Sequence, residues 1–470
     1  MGLVVGVDSS TSACKVEVRD ADSGALVASG RAPHPPTSPP RSEQDPASWY
    51  SALEEACAKA GVGTAHRPVA ISVAGQQHGL VVLDGQGRVL RPAKLWNDTE
   101  SAPDAAELVE TLGPQAWATS CGSVPVASFT VTKLKWLRRT DPEIFDRVAT
   151  VLLPHDWLTW RLTGRFVTDR GDASGTGYWS PAEGRYRLDL LELVDRSIDW
   201  AGRLPEVLGP DEPAGDWSAE QALVGPGTGD NMAGALGAAA RPGDLVLSLG
   251  TSGTAYTVAE RPSHDPTGTV AGFADATGRF LPLVCTLNAT KVTDWMAGLL
   301  GLDLDRFDAL AASAGSGGVV VVPHFDGERT PNRPLGTGLV TGLRPGTTAA
   351  HLGRAAVEGV VCNLLAGAAA LPATDGRVLL VGGGARSRAY RQVVADLTGR
   401  AVVAIASEEL VARGAAVQAA AVSHGRPVDE VAAAWGESDT VEVEPAPGFD
   451  ADGVRQAYAA AVEVVAGGAG

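Results

Sequence analysis

The sequence has no excess of basic residues, no paired cysteines and no unbroken apolar run of membrane length, and each shortage removes a class of function. Lys and Arg total 38 against 55 Asp and Glu, a formal net charge of −17. A phosphate backbone demands clustered cations, so a general nucleic-acid surface is excluded. The five cysteines, Cys14, Cys57, Cys121, Cys285 and Cys362, are odd in number, widely spaced and without any C-x-x-C. Neither a disulfide framework nor a zinc site follows, and they read as buried small apolar residues. The apolar stretch Ala355 to Leu371 is interrupted by Glu358 and Asn363, which makes it a core helix rather than a membrane span. The start has no basic leader region, and Gly6 stands where a myristoylation signal has Ser or Thr. The cytoplasm is the expected compartment.

What is present is organised around Val224 to Val258. An acid in a tight Gly-rich turn, Gly229-Asp230-Asn231, opens a small-residue helix. Two strand-like runs follow, Leu245 to Leu249 and Ala255 to Val258, joined by Gly250-Thr251-Ser252-Gly253-Thr254. The spacing predicts a hairpin whose amides and hydroxyls face an anion, with Asp230 as a general base. The chain begins on a second copy: Leu3 to Val7 and Lys15 to Val18 flank Asp8-Ser9-Ser10-Thr11-Ser12. Two such hairpins in 470 residues predict an internal duplication whose turns converge on one polyphosphate, with Asp8 as the carboxylate for Mg²⁺. A change of composition near Ala240 predicts two domains, 1–240 and 241–470.

Between the hairpins, Ala25 to Arg31 reads as a third strand, and Asp45 and Pro46 as the cap and first position of a helix carrying Trp49, Leu53 and Ala56 inward. The strand Val69 to Val73 runs into Gln76-Gln77-His78, three side chains that donate and accept hydrogen bonds, as a polyhydroxylated ligand requires. Leu95-Trp96-Asn97-Asp98 has a similar character: Trp96 offers a face to a sugar, and Asn97 and Asp98 either bind hydroxyls or form an Asx turn. Thr132 to Arg139 reads as a helix with a basic face. His155 and Asp156 stand either near the site or as caps of the helix entered through Pro154, the cap being favoured, and the polar loop Thr168 to Thr176, whose Asp and Ser residues could approach a ligand, is read as a turn without a role. In the second half, Phe325 to Pro331 is either part of the surface between the lobes or a solvated loop. Val378 to Val381 leads into Gly382-Gly383-Gly384, where backbone can approach a ligand. This is not G-x-G-x-x-G, and no acid stands at the ribose distance, so a dinucleotide fold is disfavoured. Glu408 to Ala421 reads as a last Ala-rich helix.

The ordered set GVDSST, GQQHG, LWND, GDN, LSLGTSGT, GERTP and VGGGARS resembles the FGGY family of carbohydrate kinases, and within it the xylulokinase branch, over nearly the whole chain. The resemblance implies an α/β, duplicated ribonuclease-H-like (actin-like ATPase) two-lobe fold with ATP and sugar in an interlobe cleft. It implies transfer of a phosphoryl group from ATP, with Mg²⁺, to D-xylulose or a related ketopentose or polyol. Asp230 would be the catalytic base, and Gln77, His78, Trp96, Asp230 and Asn231 would bind the sugar. Ser9, Ser10 and Thr11 with Gly250, Thr251, Ser252 and Gly253 would hold the phosphates, Gly383 and Gly384 the adenosine, and Asp8 the metal. A homodimer is what the family suggests. Two positions depart from the family: Ser10 stands where the first loop usually has Gly, and Glu100 where Arg often follows LWND. A chaperone-type ATPase would need a peptide-binding domain, and a sugar-sensing repressor a helix-turn-helix, and neither is expected here.

Overall fold

The Val-rich runs at the start form an antiparallel hairpin, Leu3–Ser9 against Ala13–Asp20, with Val5 opposite Val18 and Asp8 opposite Lys15. Asp8 and Ser9 belong to the strand rather than the turn. The ladder runs on to Ser9 opposite Cys14, the Lys15 ammonium meets the Asp8 carboxylate at 3.3 Å, and the turn closes through Ser10 N–H to the Ala13 carbonyl at 3.1 Å. The computed structural model describes residues 2–405, 409–436 and 440–467. It divides into two units: Met1–Ala239 with Ala259–Leu281 and Glu409–Gly436, and Ala240–Val258 with Pro282–Glu408 and Glu437–Gly470.

In the first unit the sheet runs Gly215–Trp217, Ala222–Val224, Pro68–Gly75, Leu3–Ser9, Ala13–Asp20 and Leu26–Pro33, with Thr228–Gly229 continuing beside Pro68–Gly75. In the second unit Thr440–Val443, Val402–Ile405, Val378–Val381, Leu245–Leu249, Gly253–Tyr256 and Phe280–Thr286 stand side by side. The central pattern is the same in both. A hairpin and a third antiparallel strand lie on one side of the first strand, and two parallel strands lie on the other. This is the duplicated plan expected from the two hairpins. Parallel strands are covered on both faces, and Val4, Val5 and Val7 are accordingly fully buried, as are Leu379 and Leu380.

Helix starts follow local chemistry. Asp45 caps Pro46–Lys59 by accepting from Ala47 N–H at 2.9 Å, and Trp49, Leu53 and Ala56 pack inward. The long helix is Ala349–Ala368, and among the described residues no helix is long and apolar enough to cross a membrane. The helix Thr130–Thr140 is not a simple basic face, because Lys133 on it is fully buried. The last predicted start, Glu408, lies outside the described residues; the observed helix is Leu410–His424. That helix crosses the first strand at backbone contact. A Cβ on Gly6 would stand 1.9 Å from the Ala412 carbonyl oxygen, and one on Gly414 would stand 1.9 Å from that of Ala233. Four of the cysteines are buried as expected, while Cys285 is half-buried.

Candidate active site

Asp230 is the first residue of the helix Asp230–Gly237, entered from the short strand Thr228–Gly229. Its Oδ1 accepts from Asn231 N–H at 2.8 Å and from Asn231 Nδ2 at 3.0 Å. Asn231 Nδ2 also donates to Gln77 Oε1 at 2.8 Å. Gly229 permits this approach, since a Cβ there would lie 2.6 Å from Gln77 Cγ. Burial raises the Asp230 carboxyl to about 7, helped by the negative charges of Asp8 and Asp172 and opposed by the two Asn231 hydrogen bonds. A carboxyl held near neutrality is suited to accept a proton from an alcohol. Gln77 is 4% exposed and its Nε2 has no partner, and the same is true of the buried Gln76 Nε2. Buried donors normally find acceptors, so both are open to a hydroxylated ligand.

His78 adopts a left-handed backbone, φ 65°. The strain is held by its surroundings: the ring stacks on Phe129 at 5.0 Å, Nδ1 meets the Gly175 carbonyl at 2.7 Å, and the His78 carbonyl accepts from Lys133 Nζ at 3.1 Å and Thr130 Oγ1 at 3.2 Å. Burial drives the Lys133 ammonium well below its usual range.

Trp96 is half-buried, and its indole N–H donates to Thr11 Oγ1 at 2.9 Å, while Thr11 Oγ1 donates to Gln76 Oε1 at 3.1 Å. The first phosphate-loop candidate and the sugar-site candidates therefore share one hydroxyl. Trp96→Phe keeps an aromatic face, though a smaller one, and removes that bond, an expected loss of about 1 kcal/mol, or roughly fivefold in sugar kcat/KM; steady-state kinetics with varied sugar checks it. Asp98 is committed elsewhere, accepting from Ser42 N–H at 2.8 Å, Lys94 Nζ at 2.6 Å and Glu100 N–H at 3.0 Å, so the Asx-turn reading holds for it. Glu100, the departure from the family pattern, takes Lys94 Nζ at 2.6 Å. Glu43, Asp98 and Glu100 lie close enough for a metal, but the Lys94 ammonium already reaches all three.

The loop given no role turns out to support the site. Asp156 caps its helix, accepting from Leu153 N–H at 2.7 Å, but His155 does not cap. Fully buried, it meets Asp172 Oδ2 through Nδ1 at 2.8 Å, and its Nε2 lies 3.2 Å from Asp156 and 3.7 Å from Asp169. Burial works against its charge, yet Asp156, Asp172 and Asp169 together raise it to about 9. Asp172 also accepts from the His78 backbone, and Asp169 accepts from Thr228 Oγ1 at 2.8 Å. This ion cluster braces both the Gln77-His78 loop and the entry to Asp230. The signal for it, Asp169 and Asp172 with His155, is spread over the sequence.

Ser9 is buried and Ser10 and Thr11 half-buried at the tip of the first hairpin, beside Asp8. Asp8 is 4% exposed; Lys15 holds its Oδ2, whereas Oδ1 is buried without a partner. Burial raises its carboxyl to about 6, with Lys15 opposing. In the second unit, Gly250 N–H closes on the Ser252 carbonyl at 3.0 Å, leaving Thr251 exposed and the buried Thr254 Oγ1 unpartnered. Gly384 packs against Leu249, where a Cβ would be 2.7 Å away, and Gly383 is open. The candidates Gly250, Thr251, Ser252, Gly253, Gly383 and Gly384 are thus gathered at one end of the second sheet. Those of the first unit are linked chiefly by the Asn231–Gln77 and Trp96–Thr11 bonds.

Two hairpin-bearing sheets of one plan, each with small hydroxylated residues at its turn, are the duplicated two-lobe arrangement that the resemblance to ATP-using sugar kinases implies. Residues 3–237 match the N-terminal domain and residues 245–423 the C-terminal domain of the FGGY family of carbohydrate kinases, and the chain belongs to that family. It is 50% identical to a xylulose kinase of Streptomyces rubiginosus over 92% of this chain and 90% of the relative. A xylulose kinase of Escherichia coli is 36% identical over 85% of each. The crystal structure of xylulose kinase from Bifidobacterium adolescentis superposes with a TM-score of 0.85 at 40% identity, covering 98% of this chain and 99% of that one.

Proposed function

We propose that this enzyme transfers the γ-phosphoryl group of ATP to O5 of D-xylulose, giving D-xylulose 5-phosphate and ADP. The observation that carries the reading is the Asp230 carboxyl, raised to about 7 and hydrogen-bonded through Asn231 to Gln77, whose remaining amide donor is buried and unpartnered. That arrangement occurs in a chain whose relatives, matched over most of their length, are named xylulose kinases.

Gln77, His78, Trp96 and Asn231 hold the sugar with its primary hydroxyl toward Asp230. As the acceptor oxygen bonds to the γ-phosphorus, the bond from that phosphorus to the β,γ-bridging oxygen breaks and the hydroxyl proton passes to Asp230. Amides and hydroxyls of Ser9 to Thr11 and Gly250 to Gly253 stabilise the charge on the phosphoryl oxygens, and Gly383 and Gly384 lie against the adenosine. The buried, unpartnered Asp8 Oδ1 fits an Mg²⁺ requirement. Mg²⁺ held by Asp8 would neutralise the triphosphate. Excluding water from the loaded site protects ATP from hydrolysis. The protein works in the cytoplasm, and as a homodimer.

A coupled ADP-release assay with Mg·ATP over ketopentoses, pentitols, glycerol and a sugar-free control tests the substrate. The expected result is the highest kcat/KM with D-xylulose, by at least about tenfold. A higher value with another polyol would move the assignment to that sugar. Turnover independent of sugar would refute the phosphotransfer reading.

A further inference from the structure

The GERTP segment has no part in the chemistry described so far, yet its acid is almost completely enclosed. Glu328 is 1% exposed, which rules out a solvated loop. Its Oε1 accepts from Leu287 N–H at 2.6 Å and Arg329 N–H at 2.8 Å, and its Oε2 accepts from Asn288 Nδ2 and Asn363 Nδ2, each at 3.0 Å. Four donors converge on one carboxylate with no cation among them. Asn288 Nδ2 also donates to the Gly327 carbonyl at 2.7 Å, a third bond between the two loops beside those from Leu287 and Asn288 to Glu328.

Leu287 and Asn288 lead directly to the residues that clasp the second hairpin turn. Ala289 N–H donates to the Thr251 carbonyl at 3.1 Å and Thr290 N–H to the Gly250 carbonyl at 2.9 Å. Gly250 and Thr251 have their carbonyls drawn to this side by those bonds. The turn's conformation thus depends on the 287–290 loop, and that loop is anchored on Glu328. Asn363 belongs to the long helix Ala349–Ala368, so the anchor is fastened to the core of the unit.

From this geometry we infer that Glu328 is a positioning residue for ATP, holding the Gly250–Thr254 turn in its phosphate-binding shape through Leu287 to Thr290. The inference rests on the reading of that turn as a phosphate site. Glu328→Gln conserves size, but in either orientation its amide NH₂ faces a donor: Leu287 and Arg329 N–H on one side, or the Asn288 and Asn363 amides on the other. A displaced 287–290 loop releases the turn, and phosphate contacts loosen before the sugar site is disturbed.

The test is calorimetric binding of ADP and ATP, with Mg²⁺ and without sugar, alongside KM values for both substrates. Glu328→Gln is expected to weaken nucleotide binding about tenfold, raise the ATP KM likewise and change the sugar KM less than about twofold. Asn288→Ala, which removes one of the four donors, is expected to move the same values in the same direction by about threefold, and it carries the test if Glu328→Gln does not fold. Thr254→Val separates the two levels. If Thr254→Val weakens nucleotide binding and the Glu328 and Asn288 variants do not, the positioning role is overturned while the phosphate site stands. If Thr254→Val also leaves binding unchanged, the phosphate reading of the turn falls, and the inference with it. A lower Tm with unchanged nucleotide affinity shows Glu328 to be structural only.

Discussion

Asp230→Asn is expected to lower kcat for sugar phosphorylation by about 10²- to 10⁴-fold, the usual contribution of a positioned general base, while nucleotide affinity stays within about threefold. Asn preserves the acceptor oxygen that Asn231 N–H and Nδ2 use, so the local hydrogen bonds survive and only the proton acceptor is lost. The same substitution should make the protein more stable at pH 8. The folded Asp230 carboxyl titrates near 7 against 3.8 when unperturbed, so between those values the folded protein holds a proton that the unfolded chain releases. Stability therefore falls as pH rises through that window, and above pH 7 the buried charge imposes its full cost, on the order of 4 kcal/mol. The variant escapes the cost. Its advantage in Tm should be largest above pH 7 and vanish toward pH 4, which thermal melts across that range will read directly. An unchanged kcat, or a stability gain that grows with acid, would contradict the assignment.

Gly414→Val is expected to damage the fold and the site together. Its Cβ would fall 1.9 Å from the Ala233 carbonyl oxygen and 2.7 Å from the carbonyl carbon, backbone atoms that cannot rotate away. The helices Leu410–His424 and Asp230–Gly237 must separate, at a cost of about 3 kcal/mol or more. Because Asp230 begins the second of these helices, the surviving folded fraction should also lose kcat. Denaturant melts and single-temperature kinetics check both effects. A midpoint equal to that of the unsubstituted protein would show that the contact yields.

The hairpins, the cap at Asp45, the strand into Gln76-Gln77-His78 and the turn at Gly229-Asp230 were legible because each is written in a few consecutive residues. Turn formers, β-branched runs and capping side chains act over one or two turns of chain. What sequence reasoning missed is tertiary. His155 looked like a cap because it follows Pro154, yet its ring is fixed by Asp172 and Asp169, residues that local reading placed in a featureless loop. Glu328 sits among charges and turn formers that suggest solvent, and only the fold brings Leu287, Asn288 and Asn363 to it. Lys133 looked like part of a basic face, but its ammonium is spent on the His78 carbonyl. The bond from Ser72 to Gln418 at 3.0 Å spans 346 positions, a distance over which no spacing rule operates. Local signals thus name the reacting groups, and the buried polar residues that hold them emerge only from packing.

The most direct test of the central claim is the pH dependence of kcat/KM for D-xylulose at saturating Mg·ATP. With Asp230 as the base, the rate should rise with pH as its carboxyl ionises, with a midpoint no higher than about 7, since a cation bound nearby lowers it. Asp230→Asn should retain a small residual rate without that rising limb. A rising limb of the same midpoint in the variant would show that another group accepts the proton.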